Sequence, residues 1–231
     1  MTWNTFPINQ RPLRALALLA AAALGACGGG DDNTGSGPAT YPVQAVITTL
    51  FTTDNQALSS AFVDPGTRDS YEFSTHYLPQ SATEVFEGSA RRVSVVRTTL
   101  QRNGVTVQDN SSRIYFSTAP LIWYGQVADS GTYSVHAAPS ANLPERASAG
   151  ASGTWFTGTD YTSSAKTSVK QRSQVRWRVS PSDTVDAAWI CLDFQLSDAA
   201  NATVVGGGSS CLKADSSGRI LAAAGDRGAA R

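Results

Sequence analysis

The chain is poor in the residues that carry most protein chemistry. Among 231 residues there are two histidines, three cysteines, one methionine and three lysines, and 16% of the residues are charged. His76 and His136 stand far apart, with no H-E-x-x-H and no Cys and His cluster, so zinc lacks its usual ligand set. G-x-S-x-G, which marks a strained nucleophile turn, is absent; the nearest approach, Gly150-Ala151-Ser152-Gly153, has the wrong spacing. D-x-[DN]-x-[DN]-G is absent too, which excludes a standard calcium loop. No metal or other cofactor is expected. Acidic and basic residues balance at 18 each, which argues against nucleic acid, since its partners are strongly basic.

Other matches are accidental. Ser163 and Lys166 spell S-x-x-K, and Lys166-Thr167-Ser168 echoes K-T-G, but both motifs then need the same lysine. True S-x-x-K opens a helix, whereas this stretch reads as strand or loop. Ser210 and Lys213 repeat the coincidence. Asp183, Asp186, Glu84 and Glu87 are the acids to consider for paired acid and base work, which only the fold brings together; solvated surface acids are the plainer reading. No catalytic residue is assigned.

The one long apolar run lies near the start. Arg11 and Arg14 precede Leu13, Leu16, Leu18, Leu19 and Leu24 with alanines between, and Leu24-Gly25-Ala26-Cys27 closes the segment. This is the order of a secretory signal: positive n-region, apolar h-region, small residues at the cut. As a helix, residues 13–24 would reach about 18 Å at roughly 1.5 Å per residue, short of the ~30 Å hydrocarbon core. Residues 11–28 resemble bacterial lipoproteins. The resemblance implies that residues 1–26 are removed and that Cys27 carries a diacylglyceryl thioether and an N-acyl group. Each buried methylene contributes about 0.8 kcal/mol, so several acyl chains anchor durably where one does not. In enterobacterial lipoproteins an Asp after the lipidated Cys signals inner-membrane retention; Gly28 stands there instead, which favours the outer membrane. Loss of Arg11 and Arg14 leaves 16 basic residues against 18 acidic, a mature charge of −2.

Residues 28–40, GGGDDNTGSGPAT, contain no large apolar side chain and cannot offset their ordering entropy by burial. With Cys27 they form a flexible tether of about 20 Å root-mean-square reach, at roughly 5–6 Å times the square root of length. Residues 41–224 are expected to form one domain, with residues 225–231 a disordered tail. No second linker and no fixed-period repeat divides them.

Most of that domain alternates with a period of two. In residues 189–196, Ile190, Leu192, Phe194 and Leu196 alternate with Trp189, Cys191, Asp193 and Gln195. Asn103-Gly104 accepts positive φ at both turn positions and predicts a two-residue hairpin with Leu100 opposite Val107. Further strands are expected over residues 113–118, 121–127, 132–137, 153–160, 166–170, 174–179 and 209–214, with residues 201–208 as loop. Residues 62–77 around Asp64-Pro65-Gly66 read as another hairpin. Val43, Val46, Ile47, Leu50 and Phe51 recur instead at helical spacing, so one short helix follows Pro42. The fold class is all-β, a single antiparallel domain of about nine to eleven strands, built as a sandwich or a half-barrel, both of which fit this alternation.

With Cys27 lipidated, Cys191 and Cys211 remain as a lone pair in an oxidising compartment, where a bridge is the default. If they face each other across antiparallel strands, Ile190 faces Leu212 and Trp189 faces Lys213, so one register serves all three. There is no C-x-x-C spacing to suggest a redox couple.

Two weaker signals concern binding. Arg176 and Arg178 alternate with Val175, Trp177 and Val179, placing the arginines on one strand face. With Arg172, and with Arg91, Arg92 and Arg97 as further candidates, they suggest a basic stripe for anionic glycans or lipid headgroups; an exposed arginine-rich sheet face is the plainer reading. Trp123, Tyr124, Trp155, Phe156, Trp177 and Trp189 are either a cavity lining or the core. His136, on the face opposite Tyr133 and Val135, is expected in solvent. Three function classes follow. The first and preferred is a non-catalytic binding or structural lipoprotein of the cell envelope, with a periplasmic protein, glycan or lipid as partner. The second is a lipid carrier, similar in size, anchor and β content to the half-barrel lipoprotein-localisation factors. The third is a hydrolase with scattered residues.

Overall fold

Period-two alternation turns nearly every segment into a strand of one sheet. The computed structural model describes residues 39–54, 56–63, 66–137 and 143–226; Cys27, the signal segment and most of the tether lie outside them, as do residues 227–231. The elements are β1 (Thr40–Tyr41), α1 (Val43–Thr52), β2 (Gln56–Val63), β3 (Ser70–Phe86), β4 (Ser89–Arg102), β5 (Val105–Thr118) and β6 (Leu121–Ala128). They continue with β7 (Tyr133–Ala137), β8 (Ala147–Ser148), β9 (Ser152–Tyr161), β10 (Val169–Pro181), β11 (Ala187–Asp198), β12 (Val204–Asp215) and β13 (Ile220–Asp226). Eleven of the strands form one antiparallel sheet in the order β13-β12-β11-β10-β9-β7-β6-β5-β4-β3-β2, and β1 pairs only with β8. The sheet is nearly closed into a barrel. Its last strand β13 lies beside β2 with no ladder joining them among the described residues.

The trough of this sheet is filled from inside by α1. Val43, Val46, Ile47, Leu50 and Phe51 are all 2% exposed or less, at the spacing that predicts the helix. Little else favours it. There is no side-chain N-cap, no acid in the first turn and no base in the last, and Thr48, Thr49 and Thr52 bond back to carbonyls four residues earlier, a pattern that slightly weakens helices. Burial therefore holds it, at roughly 1.5–3 kcal/mol per large apolar side chain. Phe51 lies within ring contact of Tyr77, Phe116, Trp123 and Trp155, centroids 5.4–6.2 Å away. The sheet contributes Ile114, Val175, Trp177, Val179, Ile190, Leu192 and Leu212 to the same core.

A second, smaller apolar cluster sits on the outside. A register shift between Pro79 and Thr83 breaks the β3–β4 ladder, and the tip of that hairpin lies on the outer face. There Phe86 stacks on Tyr115 at 4.4 Å and on Tyr133 at 5.2 Å, with Val93, Val127 and Val135 packed around them.

At the helix end of the barrel, β1 is clasped by Arg146. Its Nε donates to Thr40 Oγ1 at 3.0 Å, and its Nη2 donates to the Thr40 carbonyl at 2.6 Å and the Ser216 carbonyl at 3.0 Å. The chain thus enters the domain at a fixed point, one residue before the expected start at Tyr41.

Several expectations change in detail. Asn103 (φ 50°) and Gly104 (φ 78°) do make the two-residue turn, with Arg102 opposite Val105, but Leu100 faces Gln108, not Val107, because the register shifts between Leu100 and Gln101. Residues 166–170 and 174–179 are not two strands: Lys166 sits in a turn at φ 56°, and β10 runs unbroken from Val169. Residues 204–208, read as loop, belong to β12. A Cβ on Gly207 would stand 2.5 Å from the Phe194 carbonyl oxygen, so the missing side chain lets the strands approach there. β13 has no counterpart among the expected strands and extends to Asp226, two residues beyond the expected domain end. His136 is 7% exposed and faces the core, not solvent.

Candidate functional site

Strands β9, β10 and β11 align their outward side chains in rows. Nearest the helix end, Ser152, Arg178, Cys191 and Cys211 stand side by side; the next row is Thr154, Arg176, Asp193 and Ser209. Beyond it come Thr157, Gln174 and Gln195, and then Thr159, Arg172 and Ser197. The inward side chains of β10, Val175, Trp177 and Val179, are buried, so strict alternation sends the arginines out.

The first row contains the bridge. Cys191 and Cys211 are directly opposed, S–S 2.04 Å and Cα–Cα 4.0 Å, with Ile190 against Leu212 and Trp189 against Lys213 in the anticipated register. Arg178 stands beside it: Nε donates to Asp193 Oδ2 at 2.8 Å, Nη1 to Ser180 Oγ at 2.7 Å, and Nη2 points at Cys211 Sγ from 3.9 Å. Ser209 Oγ donates to the other Asp193 oxygen. Arg178 is therefore occupied within the sheet, whereas Arg176 is exposed.

The outer two rows form a concavity of about 310 Å³, lined by Thr157, Thr159, Gln174, Gln195, Ser197 and Asn201 around Arg172. Arg172 is exposed but oriented: Nε donates to the Ala199 carbonyl at 3.2 Å and Nη1 to Thr159 Oγ1 at 3.3 Å. No carboxylate lines the hollow. The structure brings Arg172, Arg176 and Arg178 onto one face. It does not bring Arg91 or Arg97 to them, since Arg91 lies over the Tyr124 ring at 3.6 Å and Arg97 pairs with Asp109 at 2.5 Å. Gln174, Gln195 and Thr157 escaped sequence reasoning. Their only signal is parity with the arginines, which neutral residues do not advertise.

Inside the barrel, Ser134, His136 and Asp160 share the inner face of β7 and β9 and are all buried. A nucleophilic triad needs a carboxylate behind the histidine. Here His136 Nδ1 donates to the Trp123 carbonyl at 2.9 Å instead, and Asp160 accepts from Gln171 Nε2 at 2.7 Å. Burial pulls the His136 pKa down to about 4, which makes the ring a weak base. His76 lies on β3 in register with Ala57 and Arg97, far along the sheet.

Three of the four candidate acids have structural partners, and Asp186 is exposed. Glu84 accepts from the Tyr115 hydroxyl at 3.1 Å. Glu87 takes Lys166 Nζ and the Tyr133 hydroxyl, each at 2.7 Å, and the lysine bond chiefly holds its pKa below the ordinary range. Asp183 pairs with Lys213 Nζ at 2.5 Å. The lysines of both S-x-x-K coincidences are thereby engaged with carboxylates. Among the described residues no group of three His, Cys, Asp or Glu side chains is placed to hold a metal ion, and no helix is long and apolar enough to cross a membrane. Of the six aromatics, Trp123, Trp155, Phe156 and Trp177 are core, Tyr124 packs in the outer cluster and Trp189 is half-buried. No family model matches the chain, and comparison with curated proteins and with solved structures yields no match.

Proposed function

We propose that this chain is a lipid-anchored cell-envelope protein, held at the outer membrane through Cys27, whose β domain is a binding module. The observation that carries the binding reading is the filled interior. Phe51 and its neighbours on α1 occupy the trough of the sheet, while the polar outer face of β9, β10 and β11 carries a concavity open to a ligand. The buried histidine and the acids Glu84, Glu87 and Asp183 are engaged in structural hydrogen bonds and ion pairs, which supports a non-catalytic reading over a hydrolase.

The anchor reading rests on the lipobox and on how the chain joins the domain. Thr40, the last residue of the expected tether, is gripped by Arg146, so the chain is held in place where the domain begins. A carrier of lipid is the second reading. The unladdered seam between β2 and β13 favours it, with α1 occupying the place an acyl chain would take.

Labelled palmitate tests the anchor: incorporation into the wild type and not into Cys27→Ala is expected, and equal labelling of both overturns it. Native mass spectrometry of the Cys27→Ala protein isolated from its host tests the rest. A bound polar ligand supports the module, and a bound lipid supports the carrier.

A further inference from the structure

We infer that the hollow on β9, β10 and β11 is a binding site for an acidic saccharide, a sugar chain bearing carboxylates; this rests on the outer-face reading above. Charge is the first argument. Arg172 and Arg176 project from the same face of β10, four residues apart, which separates their Cα atoms by about 13 Å at roughly 3.3 Å per residue. Asp193, the carboxylate nearest in register, is taken by Arg178 and Ser209, so the two exposed guanidiniums keep their charge for an outside partner. A guanidinium presents a planar fork that matches a carboxylate, and the Arg172 fork is pre-aimed by Ala199 and Thr159.

Between the arginines lie neutral groups suited to hydroxyls. Gln174 faces Gln195 on one side and Thr157 on the other. Amides and hydroxyls both donate and accept, as a sugar hydroxyl does, whereas a bare anion uses donors alone. The hollow is near the lower end of small-ligand site volumes, and its position on an exposed sheet face suits one unit of an extended chain. Other ligand classes fit less well. The lining has no aromatic ring on which a nucleobase would stack and no apolar anchor of the kind that dominates protein interfaces.

The test uses the full lipidated chain in detergent and isothermal titration with three probes: an oligogalacturonate, a neutral galacto-oligosaccharide of equal length and inorganic phosphate. The oligogalacturonate is expected to bind, with the neutral sugar and phosphate at least ten-fold weaker. Arg172→Gln and the double variant Gln174→Leu with Gln195→Leu are each expected to weaken it about ten-fold or more, and Arg172→Lys to recover only part of the loss. Circular dichroism and an intact bridge in each variant show that the fold survives. Binding of phosphate as tight as the oligomer, or indifference to the glutamine changes, reduces the site to surface charge and overturns the proposal, as does no binding by any probe. Palmitate incorporation is read in the same preparation. Failed titration with lipidation intact sinks the saccharide site alone, whereas absent lipidation sinks the envelope reading and leaves the titration to judge the site.

Discussion

The imidazole of His136 lies flat on the ring of Phe156, centroids 3.9 Å apart at an interplanar angle of 17°, while Trp123 meets its edge at 5.0 Å. Stacked this way and tied to the Trp123 carbonyl, the ring is neutral in the folded protein. Its pKa falls from 6.5 to about 4 through burial. The unfolded chain takes up the proton first as pH drops, so the stability this neutrality provides is complete above about pH 6.5 and drains away toward pH 4. The loss should reach about 3 kcal/mol, from roughly 1.4 kcal/mol per pKa unit. Urea denaturation across that range should show a steep decline in the wild type and a shallower one in His136→Phe; equal slopes would falsify the assignment.

Phe51 is the keystone of the interior. Phe51→Ala removes a ring shared by four aromatic neighbours and should cost about 3–5 kcal/mol. Because α1 depends on burial for its existence, the helix should loosen together with the core. Loss of the near-ultraviolet tryptophan signal should accompany the fall in melting temperature. A variant within about 1 kcal/mol of wild type in denaturant would show that α1 is dispensable.

The Cys191–Cys211 bridge closes a separation of 20 residues. On the chain-entropy model such a loop stabilises by about 3 kcal/mol. The double Cys→Ser variant should lose that much in guanidinium unfolding while keeping its strand content by circular dichroism. If ligand binding collapses and stability is unchanged, the bridge serves the site and not the sheet.

Gly125 stands under the Phe86 ring of the outer cluster. A Cβ there would lie 2.1 Å from the Ser134 carbonyl oxygen and 2.6 Å from Phe86 Cζ. Gly125→Ala should therefore force β6 and β7 apart at Ser134 and push Phe86 off Tyr115 and Tyr133, at about 1–3 kcal/mol or more, the range for overpacking. The reporter is tyrosine. The Tyr133 pKa is raised by desolvation and by its bond to Glu87, so spectrophotometric titration should move that hydroxyl back toward its ordinary value, and an unchanged titration would argue against the displacement.

Residues 189–196 show how much can be read without coordinates. Their alternation, joined to the cysteine pair, specifies both strands and the register of the bridge, because a shift of one residue turns Ile190 and Leu192 to the wrong face. The same logic misplaced His136. Hydrophobicity assigns Tyr133 and Val135 to the core side of β7, but they pack beneath the β3–β4 hairpin on the outer face, while the polar Ser134 and His136 point inward and are buried, so on this strand the apolar side of the alternation is not the core side. β13 was illegible for another reason. Its sequence, ILAAAGD, has few β-formers, and partners on β12 and β2 supply the order that propensity does not. The hollow around Arg172 was half legible: the arginines stood out by charge, while Gln174 and Gln195 are made neighbours only by strand pairing.

Eleven strands linked by ten antiparallel junctions have a parity consequence. Each junction reverses direction, so β2 and β13 come to lie side by side pointing the same way. A continuation of the antiparallel ladder around the ring is impossible with this count, whatever the side chains do. The barrel is thus a wrapped sheet with two selvedges, and parting it there breaks no rung of the ladder among the described residues. The wall has a built-in slit whose resistance comes from side chains such as Leu58, Ile220 and Ala223 resting on the core.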